Sequence, residues 1–320
     1  MSLLRVYLDQ NAWVRLSRQH YKREHDDRVA GVLALVLEAS RTGRVSFPLS
    51  ASHYEETWRR GDPGSRQRLG AFMAKVSRFH TIAGPVNLLE TEVDGALRRL
   101  AGARPLAPGP GPVVFGRGAA HAFSQPTLAR THHDDLRAAV AAFGEEPLFE
   151  YFETALLTGP PDRLPARGTA RPTHKYEQRQ LDFETETARR LQEAGHTRDT
   201  AHGLVLVQEA EDVIERLNRL APGLGLAPVD VFAGKDAVTD FMLSLPAKGA
   251  VCRMRITGHE NPRFRWQVGD LDDITALGTA AAYCDVVVAE NHWGSILQRH
   301  AGALRARVVT DVLELPALLI

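Results

Sequence analysis

Cysteine is scarce in this chain: Cys252 and Cys284 are the only two in 320 residues. Both lie in apolar sequence, which favours buried free thiols over a disulfide or a thiolate metal site. No apolar run approaches the ~20 residues that span a bilayer. The opening stretch does not resemble a signal peptide, so a cytoplasmic protein is expected. An excess of charge of one sign is missing too, since Lys+Arg and Asp+Glu both number 39. A protein that grips long duplexes by charge alone is more basic than this, so nucleic-acid contact is expected only in a local basic groove. Nothing repeats at a fixed period, which argues against a solenoid. No Walker-type loop occurs, and Gly116 and Gly118 lack the spacing and strand context of a phosphate cradle. No recognisable motif places a Ser/His/Asp or Cys/His nucleophile.

What is present is an ordinary globular composition, 44% hydrophobic and 24% charged, with chain enough for one large or two ordinary domains. Its organising stretch is WQVGDLDDITALGTAAAYCDVVVAENHW, residues 266–293. Asp270 suits the N-cap of a helix that holds Asp272 and Asp273 in its first turn, where carboxylates suit the dipole. Ile274, Leu277, Ala281 and Ala282 follow at helical spacing. Residues 286–288, three valines, then read as a strand buried on both faces, ending on Ala289, Glu290 and Asn291. Two further junctions match it. Residues 3–8 read as a strand ending on Asp9-Gln10-Asn11, ahead of a helix over 12–18. Residues 45–49 read as a strand followed by a helix, capped by Ser50 or Ser52, with Glu55 and Glu56 in its opening turns. In an open parallel sheet these junctions face the edge where ligands bind.

Taken together, VYLDQNAW, PLSASHYEETW and DLDDITALGTAAAYCDVVVAEN resemble a PIN-like domain, the metal-dependent nuclease fold. The resemblance covers residues 1–80 and 240–320. It implies an α/β fold: a PIN-like (Rossmann-type) parallel sheet flanked by helices, interrupted by a mainly helical insertion at 81–239. It also implies catalytic, metal-binding roles for Asp9, Glu56, Asp273 and Glu290. Glu56 fits the family spacing better than Glu55, and Asp273 better than Asp272. Gln10 stands where Thr or Ser is usual, Ala289 where Thr is usual and Asn291 where a last Asp is usual; Glu290 can compensate. Supporting roles fall to Asn11, Asp270, Asp272 and Asn291. The implied cofactor is Mg²⁺ or Mn²⁺, hard dications that take carboxylate oxygens and water. The implied activity is that of an endoribonuclease, with RNA ahead of DNA as substrate, and a toxin or phage-defence setting suits the family. The competing expectation is an inactive PIN-like module that binds RNA or a protein partner without cutting.

Basic residues flank the acids. Arg59 and Arg60 follow Glu56 and form a first cluster with Arg66 and Arg68. Residues 250–256 read as a strand whose Arg253 and Arg255 alternate to one face, joined by Arg263 and Arg265 just before the acidic helix. Arg59, Arg60, Arg253, Arg255, Arg263 and Arg265 are therefore the expected substrate contacts. Trp266 either stacks a base or, the better reading, holds the helix start in the core. His292 and Trp293 are placed to cover the site. Further helices are expected at 29–40, 65–77, 86–100, 134–143, 145–157, 176–194, 199–220 and 236–245, with a last strand at 306–310. Pro- and Gly-rich loops fall at 105–112 and 159–172. His132-His133-Asp134-Asp135 reads as a polar helix cap, because adjacent residues rarely point at one ion. The long helices at 176–194 and 199–220 offer a substrate clamp, a lid, a homodimer surface, a seat for an antitoxin or defence partner, or a purely structural elaboration.

Overall fold

Short β-branched and apolar runs near both ends of the chain pair into one sheet. The computed structural model describes residues 3–103, 114–124, 142–159 and 175–319. In chain order the first half holds β1 (Leu4–Leu8), α1 (Gln10–His20), α2 (Asp27–Arg41), β2 (Val45–Ser46), α3 (Ala51–Arg59), α4 (Pro63–Ser77), β3 (His80–Ile82), α5 (Pro85–Leu100), β4 (Phe115–Arg117) and α6 (Gly118–Ala122). The second half holds α7 (Glu145–Thr158), α8 (Lys175–Glu193), α9 (Arg198–Leu220), α10 (Pro228–Val231), α11 (Lys235–Ser244), α12 (Pro246–Glu260), α13 (Asp270–Tyr283), β5 (Val286–Val288), α14 (Asn291–Arg299) and β6 (Arg307–Val309). The residues expected as a loop at 105–112 and as a polar cap at 132–135 lie outside the described residues, as do most of 134–143 and 159–172. Among the described residues no helix is long and apolar enough to cross a membrane.

The main sheet runs β2-β1-β5-β6 with every pair parallel. From β1 the chain crosses to β2 on one side, and from β5 it crosses to β6 on the other. The order therefore reverses between β1 and β5, which makes the carboxyl ends of those two strands a topological switch point. Val6, Leu8, Val286 and Val288 enter one apolar layer with Trp13, Leu16 and Phe72. Tyr7 and Val287 enter the other, with Ile274, Leu277, Ala280 and Ala281 of α13. Alternate residues thus face opposite layers and both are buried, which is why the strands are apolar without a break. The strand expected at 45–49 is cut short. Only Val45 and Ser46 pair with β1; Pro48 has no N–H to give, and Leu49 turns to bridge Thr81 of β3, which pairs antiparallel with β4.

One expected strand is a helix. Residues 250–256 lie inside α12. Val251 and Met254 pack with the α13 layer, while Cys252 and Ile256 join a third cluster with Leu89, Val93, Val205 and Val213 of α5 and α9. A helix buried on two sides has no single apolar stripe, so its short run of apolar residues imitates a strand. Pro246 in its first turn gives the helix a preset start. The third cluster spans position 240, since Phe241 and Met242 of α11 pack with α5 and α9. Both cysteines are free and buried.

Candidate active site

Asp9 and Glu290 end the two central strands in the same way. Each is the N-cap of the helix that follows, with φ −62° and ψ 159° for Asp9 and φ −65° and ψ 160° for Glu290. The Asp9 N–H donates to the Val288 carbonyl at 2.8 Å, and its carboxylate accepts the Gln10 N–H at 2.8 Å. Asn11 reaches across from α1, its Nδ2 donating to Glu290 Oε2 at 3.4 Å. The two acids are thereby fixed side by side at the switch point, beside a cleft of about 240 Å³ that also takes in Asn11, Asn291 and Asp311.

Glu56 is brought to them by an interaction the sequence reading missed. Ser50 caps α3, and the third helical residue, His53, completes the capping box in the place usually held by Glu or Gln. The Ser50 N–H donates to His53 Nδ1 at 2.9 Å, which leaves Nε2 to donate to the Leu8 carbonyl at 2.9 Å. Burial pushes the imidazole down to about 4, so at neutral pH it is uncharged and holds this single tautomer. It ties the start of α3 to the residue before Asp9. Gln10 Nε2 adds a second tie, donating to Thr57 Oγ1 at 3.2 Å. The signal available in sequence was the spacing Ser50-x-x-His53 at the head of a helix.

The third acidic junction is the start of α13. Its N-cap is Gly269, in left-handed backbone at φ 96°, and not Asp270 as expected. Asp270 is the first helical residue, and its carboxylate accepts the Gln267 N–H at 2.6 Å. Glycine suits this place because an L side chain at that φ is strained. Asp270, Asp272 and Asp273 then all sit in the first turn.

The acids act on one another. Burial, then the charges of Asp273 and Asp9, raise Glu56 from an ordinary 4.5 to about 8, against the pull of Arg59. Burial, then Asp9, Glu290, Asp270 and Asp272, raise Asp273 from 3.8 to about 8. Burial raises Asp9 to about 6; the Gln10 and Glu290 N–H groups oppose the rise and the Glu290 charge adds to it. Burial is the first cause in each case, and the like charges that act after it place Asp9, Glu56, Asp273 and Glu290 within one another's reach. Glu55 and Asp272 lie to one side, lining a separate cleft of about 200 Å³ with Ser52 and Thr275. Among the described residues no group of three or more His, Cys, Asp or Glu is set to hold a metal ion.

No family model, curated protein or solved structure matches the chain. The site's chemistry therefore has to be argued from its own geometry.

The arginines divide. Arg59 sits on the acidic rim, 3.4 Å from Glu55 and 3.8 Å from Asp272. Arg60 turns away into a different pocket with Arg18. Arg253 and Arg255 do not share a face: at 3.6 residues per turn they point about 200° apart. Arg253 donates to the Leu243 carbonyl at 3.2 Å. Arg255 is only 3% exposed and is held by Glu184 at 2.7 Å and Glu209 at 2.6 Å. The expectation that Arg255 contacts substrate is corrected: its guanidinium is committed inside the protein. Arg263 and Arg265 are exposed on the loop before α13. Trp266 packs against His259, Phe264 and Trp293 with ring centroids 4.7, 4.8 and 6.3 Å away, the core role rather than the base-stacking one. Trp293 is itself buried, and exposed His292 stacks on Phe264 at 5.2 Å.

Proposed function

We propose that the chain is a metal-dependent endonuclease of the PIN-like kind, cutting RNA in preference to DNA. The carrying observation is a cluster of acids around the carboxyl ends of the two central strands: burial raises Asp9, Glu56 and Asp273, and after burial the charges of Asp273 and Asp9 raise Glu56, those of Asp9 and Glu290 raise Asp273, and that of Glu290 raises Asp9. A protein gains nothing in stability by gathering half-buried like charges; such a cluster fits a site whose charge is met by a ligand. The donor atoms are carboxylate and amide oxygens, the set that suits Mg²⁺ or Mn²⁺. Asp9, Glu56 and Asp273 would hold the ion, with Glu290 alongside. When bound, such an ion lowers the pKa of a water and neutralises charge on phosphate oxygens. Asn11 orients Glu290, and Asn291, exposed at the start of α14, is available to a phosphate or a water.

The test is cleavage of end-labelled RNA and of the matching DNA, with Mn²⁺ and with chelator. Asp9→Asn and Asp273→Asn are each expected to slow cleavage about 100-fold or more, as loss of several kcal/mol of charge stabilisation does. Cleavage that survives in chelator or in both variants contradicts the proposal. A second reading, an inactive PIN-like module that binds RNA or a protein partner, is favoured by Ala289 and Asn291, which stand where the family carries Thr and Asp. RNA binding without cleavage by the parent, unchanged in both variants, supports that reading instead.

A further inference from the structure

A second charged site lies at the carboxyl end of α3. A pocket of about 370 Å³ opens between the end of α1 and the start of α4, and Arg18, Arg23, Arg60 and Arg68 all line it. Among the described residues the carboxylate on its wall is Asp62, which caps α4 by accepting the Gly64 and Ser65 N–H groups and lies 3.7 Å from Arg68. Among the described residues the guanidiniums of Arg18, Arg23 and Arg60 have no carboxylate within ion-pair distance. Arg41, Arg117 and Arg219 each meet a glutamate, whereas here several guanidiniums share one concavity. Burial, then the adjacent Arg18 charge, lowers Arg60, while Glu56 pulls it the other way. Arg60 is thus within the field of both sites. It is the C-cap of α3, four residues beyond Glu56 in the chain. Tyr21, 37% exposed, adds an aromatic face to the same wall.

We propose that this pocket seats a backbone phosphate of a single nucleic-acid strand whose neighbouring phosphate lies at the carboxylates, with Arg18 and Arg60 gripping it and Tyr21 stacking the adjoining base. This rests on the nuclease reading for what the strand is, but not for the existence of the site. Guanidinium groups recognise phosphate oxygens through paired N–H donors, and unpartnered guanidiniums around one concavity lack only the anion. Aromatic stacking next to a basic track is how single strands are held without sequence preference.

The test is fluorescence anisotropy of a labelled single-stranded RNA in chelator, where no cutting occurs, with the parent, Arg18→Gln, Arg60→Gln and the control Arg41→Gln. Each pocket variant is expected to bind about tenfold or more weakly, the range for a lost charged hydrogen bond, and to lower the salt slope by about 0.7. Arg41→Gln is expected to bind as the parent does. The pocket variants should melt no lower than the parent, because each relieves repulsion. Equal affinity in all four proteins, or no RNA binding by the parent, overturns the proposal. Cleavage that needs Asp273 but ignores Arg18 and Arg60 removes this pocket and leaves the nuclease reading. Binding weakened by both variants, with no cleavage by the parent, does the reverse.

Discussion

Asp273 is the residue on which the site's electrostatics turn. A carboxyl raised from 3.8 to about 8 holds its proton more tightly in the folded than in the unfolded chain. The folded state then loses stability as pH climbs between those values. In chelator the parent is therefore expected to melt lower at pH 8.5 than at pH 5.5. Asp273→Asn should flatten that dependence and melt higher than the parent at pH 8.5 while losing activity, which a pair of thermal melts checks. An Asn variant less stable than the parent at pH 8.5 would contradict the repulsion. His53 is the opposite kind of residue, neutral and structural. His53→Ala leaves the Ser50 N–H and the Leu8 carbonyl without their partner, and should cost about 2–3 kcal/mol by urea denaturation. Asp9 and Asp273 were legible because one follows a strand and the other opens a helix, and Glu56 because it lies within the helix that a Ser50 cap announces. His53 was not, because a histidine at the third helical position carries no ordinary signal, and its partner at Leu8 is 45 residues away.

α12 shows where reading by element goes wrong. Its residues Val251 to Ile256 alternate as a strand would, yet the helix is packed on two sides. Periodicity cannot separate a short apolar run in a strand from one in a doubly buried helix. The packing is close: a Cβ on Gly278 of α13 would stand 2.9 Å from Val251 Cγ2 and 3.2 Å from the Val251 backbone nitrogen. Gly278→Val should therefore cost about 1–3 kcal/mol or more by forcing α12 and α13 apart, a drop that a thermal melt reads. On its other flank α12 meets α8 and α9 through buried charge, with Arg255 and His259 against Glu184, and Arg255 and Lys248 against Glu209. Arg255→Ala leaves Glu184 buried without its cation and is expected to cost about 3–5 kcal/mol in urea. RNA affinity of the protein that remains folded should not change. Loss of RNA binding without loss of stability would restore Arg255 as a substrate contact.

Across the whole molecule, an even balance of charge conceals strong local separation. Acids collect at the switch point between β1 and β5, and unpartnered arginines collect at the far end of α3. The parallel strands and their acidic ends could be read from sequence, because a buried strand and a capped helix both leave local patterns. The cluster that joins α5, α9, α11 and α12 could not, because amphipathic stripes state which face is buried but not which helix covers it. At this scale Mn²⁺ is expected to raise the melting temperature, more at pH 8.5 than at pH 5.5, because the carboxylates must lose their protons to bind it. The central claim is that distant acids share one cation, and a crystal of the parent soaked in Mn²⁺ tests it most directly by anomalous scattering. The account predicts a peak about 2.1 Å from oxygens of Asp9, Glu56 and Asp273. No peak at that rim, at an Mn²⁺ concentration that supports cleavage, would contradict it.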